Sequence, residues 1–560
     1  MTNHSANVAR FIRESAERVP AVCAVRLPEG RNGDGSIRYR ELSFEELDCH
    51  TAAAAEIFRK NGIRAGARTL LMARPGWDLI LCAFALFRIG AVPVAIDPGM
   101  GLRHFLRCVE NTRPEALVGI SLAHWIRRFF RKAFSSVRIN VVVGNREFNR
   151  MLSRTAADKS LRSEIVATAD DELAAILFTS GSTGAPKGVC YTHGMFDAQQ
   201  RIVRDFYKIE PGEIDLPLLP IFALFNPALG MTTITPEMNP SKPASLDPEK
   251  IVRAIRQNNV TNSFGSPILW RKIAEYCEAR GETLPSIRRI LCAGTAVHPS
   301  VMALLKKVLP NAEIHSPYGA TENLPVADVD AETVLSETGA LTARGFGTCT
   351  GKIVPGTRVR IIPASDEAFP DFSAVGETQE RFRGFPVGEI CVCGPTTTRA
   401  YDNNARATAL AKIRDVADGT LWHRMGDLGY LDDSGRLWFL GRKVERVETP
   451  RETLYTESCE PIFNAHPDVF RSALIGLGER GEAVPAIVVE LRAGIPKRRH
   501  REILEELREI AGKNETTRTI LRFFIHPKKF PVDVRHNAKI HRLTLREFYM
   551  KKLAVRRIDA

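Results

Sequence analysis

Between Leu173 and Tyr191 the chain reads LAAILFTSGSTGAPKGVCY. An apolar run with the texture of a buried strand stops at a loop of Ser, Thr and Gly, and a second short apolar run follows Pro-Lys-Gly. Two strands joined by so little side-chain bulk restrict the fold sharply. Glycine accepts the dihedrals with which successive backbone N–H groups converge on an anion, and Gly181 and Gly184 leave the backbone open for this. Thr179, Ser180, Ser182 and Thr183 add hydroxyl donors suited to phosphate oxygens, and Lys187 adds a fixed positive charge. The spacing is not that of a Walker loop: counted from Gly181, Pro186 stands where the second glycine belongs, and Gly188 follows the lysine. A plain solvent turn has no use for four hydroxyls and a lysine together, so the segment reads as a phosphate-binding loop.

Around it, short strand-like runs such as TLLMA and RRILCAG alternate with helical patterns, the signature of α/β layers. At 560 residues the chain exceeds what one core comfortably serves, so at least two domains are expected. After about residue 385 the texture changes to GEICVCG and then GYLDDSGRLWFLG, a hairpin with Asp-Ser-Gly at its turn. The last hundred residues, with FRSALIGL, AIVVEL, REILEELREIAGK and ILRFFI, read as a compact α+β unit able to close over something. The expected division is a large α/β domain over 1–442 and a small mobile α+β domain over 443–560, parted near GRKVE.

Composition excludes some classes. Apolar residues make up 44% and charged residues 26%, both ordinary for a soluble globular protein. The strongest apolar run, Leu79 to Phe87, is too short to cross a bilayer and is bounded by Asp78 and Arg88. The first twenty residues show helical spacing rather than a signal-peptide core, so a cytoplasmic enzyme is expected. The eleven cysteines are scattered without any C-x-x-C pair, which points to buried thiols rather than a disulfide frame or zinc site. Only Cys391 and Cys393 are close, and alternation puts both on one face of a strand. The net charge of +13 is uneven: from Arg518 onward twelve Lys/Arg face only Asp533, Glu547 and Asp559. Such a region suits nucleic acid, anionic lipid or a polyanion such as ATP, and its interleaved Phe and Leu residues mark a folded module. HWIRRFFRKAF (124–134) is a second basic, aromatic segment, read as a solvated helix face with a membrane-surface contact as the alternative.

The loop TSGSTGAPKGV resembles the phosphate-loop signature of the adenylate-forming superfamily, which includes acyl-CoA synthetases, luciferases and peptide-synthetase adenylation domains. Further motifs follow in that superfamily's order. YGATE (318–322) is similar to its Y-G-x-T-E, which implies that Tyr318 and Gly319 border the nucleotide, Thr321 contacts the α-phosphate and Glu322 holds Mg²⁺. CAGTA (292–296), with Gly294 and Ala296, resembles the segment that packs on adenine. HRMGD (423–427) and GR (441–442) resemble the motifs whose Asp427 and Arg442 reach the ribose. VRHNAKIHR (534–542) is similar to G-K-I-x-R, which makes Lys539 the mobile catalytic lysine. A carboxylate attacking ATP brings anion against anion, so Lys539, Lys187 and Mg²⁺ are wanted where negative charge grows on phosphorus. The resemblance also implies a rigid-body closure of the small domain about a hinge close to Lys443.

Several positions depart from the common pattern. The stretch after Gly441, GRKVERVETPRETLYTESCE, has no glycine to let a pantetheine arm approach. NAK replaces S-G-K, MGD replaces T-G-D, and Ala223 stands where many relatives carry a gating His. One branch is similar at these departures too, in FALFNPALG, GPTTT, LYTE and RHNAKI: the β-lactone synthetases of bacterial long-chain olefin biosynthesis. That resemblance implies adenylation of a 2-alkyl-3-hydroxy fatty acid, followed by displacement of AMP by its own hydroxyl. An internal nucleophile needs no thiol tunnel and avoids the entropy cost of a second substrate. His193 and His536 are the candidate bases, with a structural hydrogen-bonding role as the alternative for each. The segments 218–231 and 263–270 offer apolar residues for an aliphatic tail. The competing readings are a long-chain fatty acyl-CoA or acyl-AMP ligase, and an idle adenylate-fold protein that binds nucleic acid or membrane. Expected partners are small molecules, with a complex of other olefin-pathway enzymes possible, no nucleic acid and at most peripheral membrane contact.

Overall fold

The structure is a computed structural model and describes residues 5–158, 160–161, 164–179, 186–239, 242–532 and 539–558. Two large sheets carry the N-terminal part. In the six-stranded sheet the order is Ile139–Val142, Ala116–Gly119, Arg68–Met72, Val92–Ile96, Leu173–Thr179, Lys187–Thr192. The first five run parallel and the last is antiparallel. Parallel strands covered on both faces read as continuous apolar runs, and Ala116–Gly119 is buried at every residue. The apolar run at 79–87 is a core helix, Trp77–Arg88, buried from Ile80 onward. The arginine that ends it is itself buried and paired with Asp48. No helix among the described residues is long and apolar enough to cross a membrane.

The second sheet has fourteen strands. Asn262–Gly265, Arg289–Cys292 and Glu313–Ala320 lie side by side in parallel. From Glu313–Ala320 onward the sheet becomes antiparallel, through Asn323–Asp330, Thr348–Ile353, Arg436–Arg442 and Leu421–Leu431. The expected Asp-Ser-Gly hairpin joins the last two in sequence. Its Asp432 carboxylate accepts hydrogen bonds from the backbone N–H of Ser434 and Arg436 and from the indole of Trp438. Cys391 and Cys393 do share a strand face and one buried cluster, opposite Ile390 and Val392. All eleven cysteines are free thiols.

The C-terminal part is built on a three-stranded sheet of Val469–Leu477, Val484–Leu491 and Arg522–Ile525. Alternation divides its residues between two layers. Leu474, Ile487 and Val489 pack under helix His500–Lys513, while Ala473, Ile475 and Val488 pack against Leu545 and Tyr549 of helix Arg542–Ile558. The basic C-terminal region is therefore a folded module. Its Phe523, Phe530 and Leu545 are buried, while Leu543 and Phe548 stay exposed. The chain is an α/β protein with a large N-terminal and a small C-terminal domain.

Candidate functional site

Strands Leu173–Thr179 and Lys187–Thr192, which flank the expected phosphate loop, pair antiparallel with Thr179 opposite Lys187. Ser180, Gly181, Ser182, Thr183 and Gly184 lie outside the described residues. The Lys187 ammonium sits 4.7 Å from the centre of the Tyr401 ring. Burial pulls its pKa below the usual lysine range, and the Glu322 carboxylate opposes that shift.

Thr321 and Glu322 form the tip of a second hairpin, between Glu313–Ala320 and Asn323–Asp330. The turn is tight: a Cβ on Gly319 would lie 2.7 Å from the carbonyl oxygen of Asn323. Neighbours from two other stretches, Tyr191 and residues 396–401, hold this tip. The Tyr191 hydroxyl donates to the Thr321 carbonyl at 2.5 Å. The Tyr401 hydroxyl donates to Glu322 Oε1 at 2.7 Å. The Thr398 N–H donates to the Glu322 carbonyl at 2.9 Å. Asn323 Nδ2 donates to Thr397 Oγ1, and Thr396 Oγ1 donates back to Asn323 Oδ1. The threonines of GPTTT are thus a buried latch on the residue next to Glu322. Behind them Lys412 is buried with its Nζ donating to Thr398 Oγ1 at 3.1 Å, and burial lowers its pKa to about 7.

The motifs expected at the ribose meet on one carboxylate. Asp427 lies opposite Arg442 across two antiparallel strands. Its Oδ1 accepts from Arg442 Nη1 at 2.6 Å, and its Oδ2 accepts from the Tyr318 hydroxyl at 2.6 Å. Burial and the adjoining Asp427 charge push the Tyr318 phenol well above its ordinary range, so it stays a donor. Gly294 and Ala296 follow strand Arg289–Cys292, the parallel neighbour of the strand that bears Tyr318, and both are exposed.

A cavity of about 580 Å³, counting its open mouth, abuts the Thr321–Glu322 hairpin. Pro317, Leu324 and Pro325 of that hairpin form one wall, and Phe222, Phe225 and Phe264 form another. The apolar segments at 218–231 and 263–270 contribute in part: Phe222, Phe225, Leu229, Met231 and Phe264 line the space, whereas Leu218 and Trp270 belong to the core. Asp215 is a buried carboxylate at its edge. It accepts from Asn226 Nδ2 at 2.9 Å and Asn262 Nδ2 at 2.7 Å, and burial raises its pKa to about 6.

Lys539 is exposed, at the end of a segment, 533–538, that includes His536 and lies outside the described residues. Three residues on, Arg542 is clamped by both carboxylate oxygens of Glu460 at 2.7 Å and by Glu445 at 2.9 Å. His193 takes the hydrogen-bonding role rather than that of a base. Its buried Nδ1 accepts from the Val8 N–H at 3.2 Å, its ring faces Phe87, and burial lowers its pKa to about 4. Sequence reasoning missed Tyr191, Tyr401, Lys412 and Asp215. The first two stand within or beside quoted motifs, but nothing local marks them as supports for Thr321 and Glu322.

Comparison with known proteins agrees with this geometry. The family model described as AMP-binding enzyme matches residues 12–402. An olefin β-lactone synthetase of Xanthomonas campestris pv. campestris is 44% identical, over 97% of this chain and 96% of that protein. One of Stenotrophomonas maltophilia is 43% identical, over 96% of this chain and 97% of its own length. ATP-bound MatB from Rhodopseudomonas palustris shares the fold at a TM-score of 0.75 and 20% identity, covering 98% of this chain and 99% of that one. A family match over well more than half of the chain, full-length relatives and a shared architecture point the same way: the chain belongs to the AMP-binding enzyme family, with the adenylate-forming fold.

Proposed function

We propose that the protein adenylates a 2-alkyl-3-hydroxy long-chain fatty acid with ATP and then closes it to a β-lactone, releasing pyrophosphate and AMP. The observation that carries this reading is the apolar cavity whose wall is the same hairpin that presents Tyr318, Thr321 and Glu322. Full-length similarity to the two olefin β-lactone synthetases supports the lactone outcome.

In this mechanism Asp427 and Arg442 receive the ribose, with Tyr318 setting the orientation of the carboxylate. Thr179, Ser180, Gly181, Ser182, Thr183 and Gly184 wrap the phosphates, and Gly294 and Ala296 flank adenine. A carboxylate oxygen of the acid attacks the α-phosphorus while the bond to pyrophosphate breaks. Lys187, Thr321 and Lys539 supply positive charge and hydrogen bonds where the five-coordinate phosphorus becomes more negative. Glu322 fits Mg²⁺: Oε1 is held by Tyr401, and Oε2 has no partner among the described residues. Those residues contain no cluster of three or more His, Cys, Asp or Glu, so the donors would be Glu322 and phosphate oxygens. When bound, the ion would neutralise charge on the triphosphate. In the second step the 3-hydroxyl oxygen bonds to the acyl carbon, the acyl–phosphate C–O bond breaks, and AMP leaves with the bond's electron pair while the hydroxyl proton passes to its phosphate or to water.

The lid over 443–560 would turn near Lys443, whose ammonium lies 3.2 Å from Glu389. Gly441 supports an internal nucleophile over a thiol. A Cβ there would lie 2.1 Å from Thr456 Oγ1, so this glycine serves contact with the helix Thr456–Asn464. The test is incubation with ATP, Mg²⁺ and a 2-alkyl-3-hydroxy acid. AMP and lactone are expected without CoA, and turnover that requires CoA or a carrier protein assigns the chain to the ligases instead.

A further inference from the structure

The helix Ser121–Phe129 follows strand Ala116–Gly119 near the edge of the six-stranded sheet, with two strands between it and the phosphate-loop hairpin. Its inner side is accounted for. Ala123 is buried and Ile126 packs against the cluster of Phe105, Cys108 and Phe134, while His124 Nε2 bonds the Val141 carbonyl at 3.2 Å. The outer side is the opposite of what a solvated helix presents. Leu122, Trp125 and Phe129, spaced to fall on one face, are 62%, 59% and 74% exposed. The two aromatic rings stack on each other, 6.2 Å apart and 25° from parallel, instead of turning into the core. Phe130 continues the exposed surface.

Charge completes the pattern. From Ser121 to Val143 there is no Asp or Glu, and there are five Lys/Arg: Arg127, Arg128, Arg131, Lys132 and Arg138. The last four are exposed, and none of the five forms an ion pair among the described residues. The neighbouring helix Leu102–Thr112, in the same packing layer, adds an exposed Leu102 with Arg103 and Arg107.

We propose that this patch docks the protein on an anionic lipid surface. Aromatic and leucine side chains gain by entering the boundary between headgroups and acyl chains, and surrounding Lys/Arg gain by meeting lipid phosphates. A second copy of this chain would set like charges face to face at close range. Nucleic acid would satisfy the cations but leave Leu122 and Leu102 without a role. The anchor is a short helix with few apolar groups, so attachment is reversible and salt-sensitive rather than an insertion.

The test uses the full-length protein with vesicles of phosphatidylcholine alone or mixed equally with phosphatidylglycerol, read by flotation at low and high salt. Binding is expected only to the phosphatidylglycerol vesicles and is lost at high salt. Replacing both cations in R131A/K132A should weaken partition about thirtyfold, and W125A/F129A by about tenfold or more. Because these side chains are exposed and belong to none of the motifs given a role in the proposed reaction, pyrophosphate exchange in solution should be unchanged and serves as the check on folding. Three results would overturn the proposal. They are absence of binding to phosphatidylglycerol vesicles, binding undiminished in both double variants, or conversion of a soluble oligomer to monomer by W125A/F129A.

Discussion

At the scale of single residues, the decisive contact is the Asp427 carboxylate shared between Tyr318 and Arg442. Arg442 neutralises it, and Tyr318 fixes which lone pairs remain for a ligand. Tyr318→Phe removes one hydrogen bond to a charged group, worth about 1.5 kcal/mol. AMP affinity by calorimetry should therefore fall about tenfold, with the fold intact. The residues of this contact were named from the sequence through resemblance alone, since YGATE, HRMGD and GR are similar to ordered motifs of the family. Tyr401 was not, because its partner Glu322 is 79 positions away and the pairing exists only after the sheet forms. Asp215 was hidden for a similar reason: its partner amides come from Asn226 and from Asn262 on another strand, and an isolated acid in an Ile-Asp pair carries no periodic signal.

Elements were read best where period and punctuation agreed. The Asp-Ser-Gly turn became the hairpin between Leu421–Leu431 and Arg436–Arg442. The Gly/Ser-rich hairpin, by contrast, was legible through chemistry and resemblance rather than through any period. One element-level device escaped the sequence altogether, the clamp on Arg542. The Arg542, Glu445 and Glu460 side chains are 13%, 5% and 6% exposed, so the trio is an ion cluster tying the start of helix Arg542–Ile558, just after Lys539, to the segment behind Arg442. Arg542→Ala strands two carboxylates in a dry setting and should cost about 3–5 kcal/mol. Calorimetry should show the loss, together with slowed pyrophosphate exchange. Arg542→Lys should recover only part of the stability, since an ammonium cannot grip Glu460 with two parallel bonds.

For the molecule as a whole, stability against acid has a named source. His193 is 2% exposed and joins the N-terminal segment to the helix His193–Phe206 in its neutral form. Its pKa falls from 6.5 to about 4 in the fold, so between those values the unfolded chain binds a proton that the native chain refuses. Stability from this group is flat above pH 6.5 and declines as pH drops toward 4. About 2 kcal/mol should be lost between pH 7 and pH 5. His193→Asn, whose Oδ1 can accept from Val8, should flatten that decline in urea unfolding at the two pH values.

The wall common to the cavity and the Thr321–Glu322 turn, Pro317 to Pro325, has a mechanical corollary. On the proposed reading, a fatty tail settling into the chamber leans on the same ribbon of backbone that aims threonine and glutamate at the phosphates. Recognition of the lipid and alignment for chemistry then share one stretch of backbone, and an acid of poor fit would be penalised in speed as well as in occupancy.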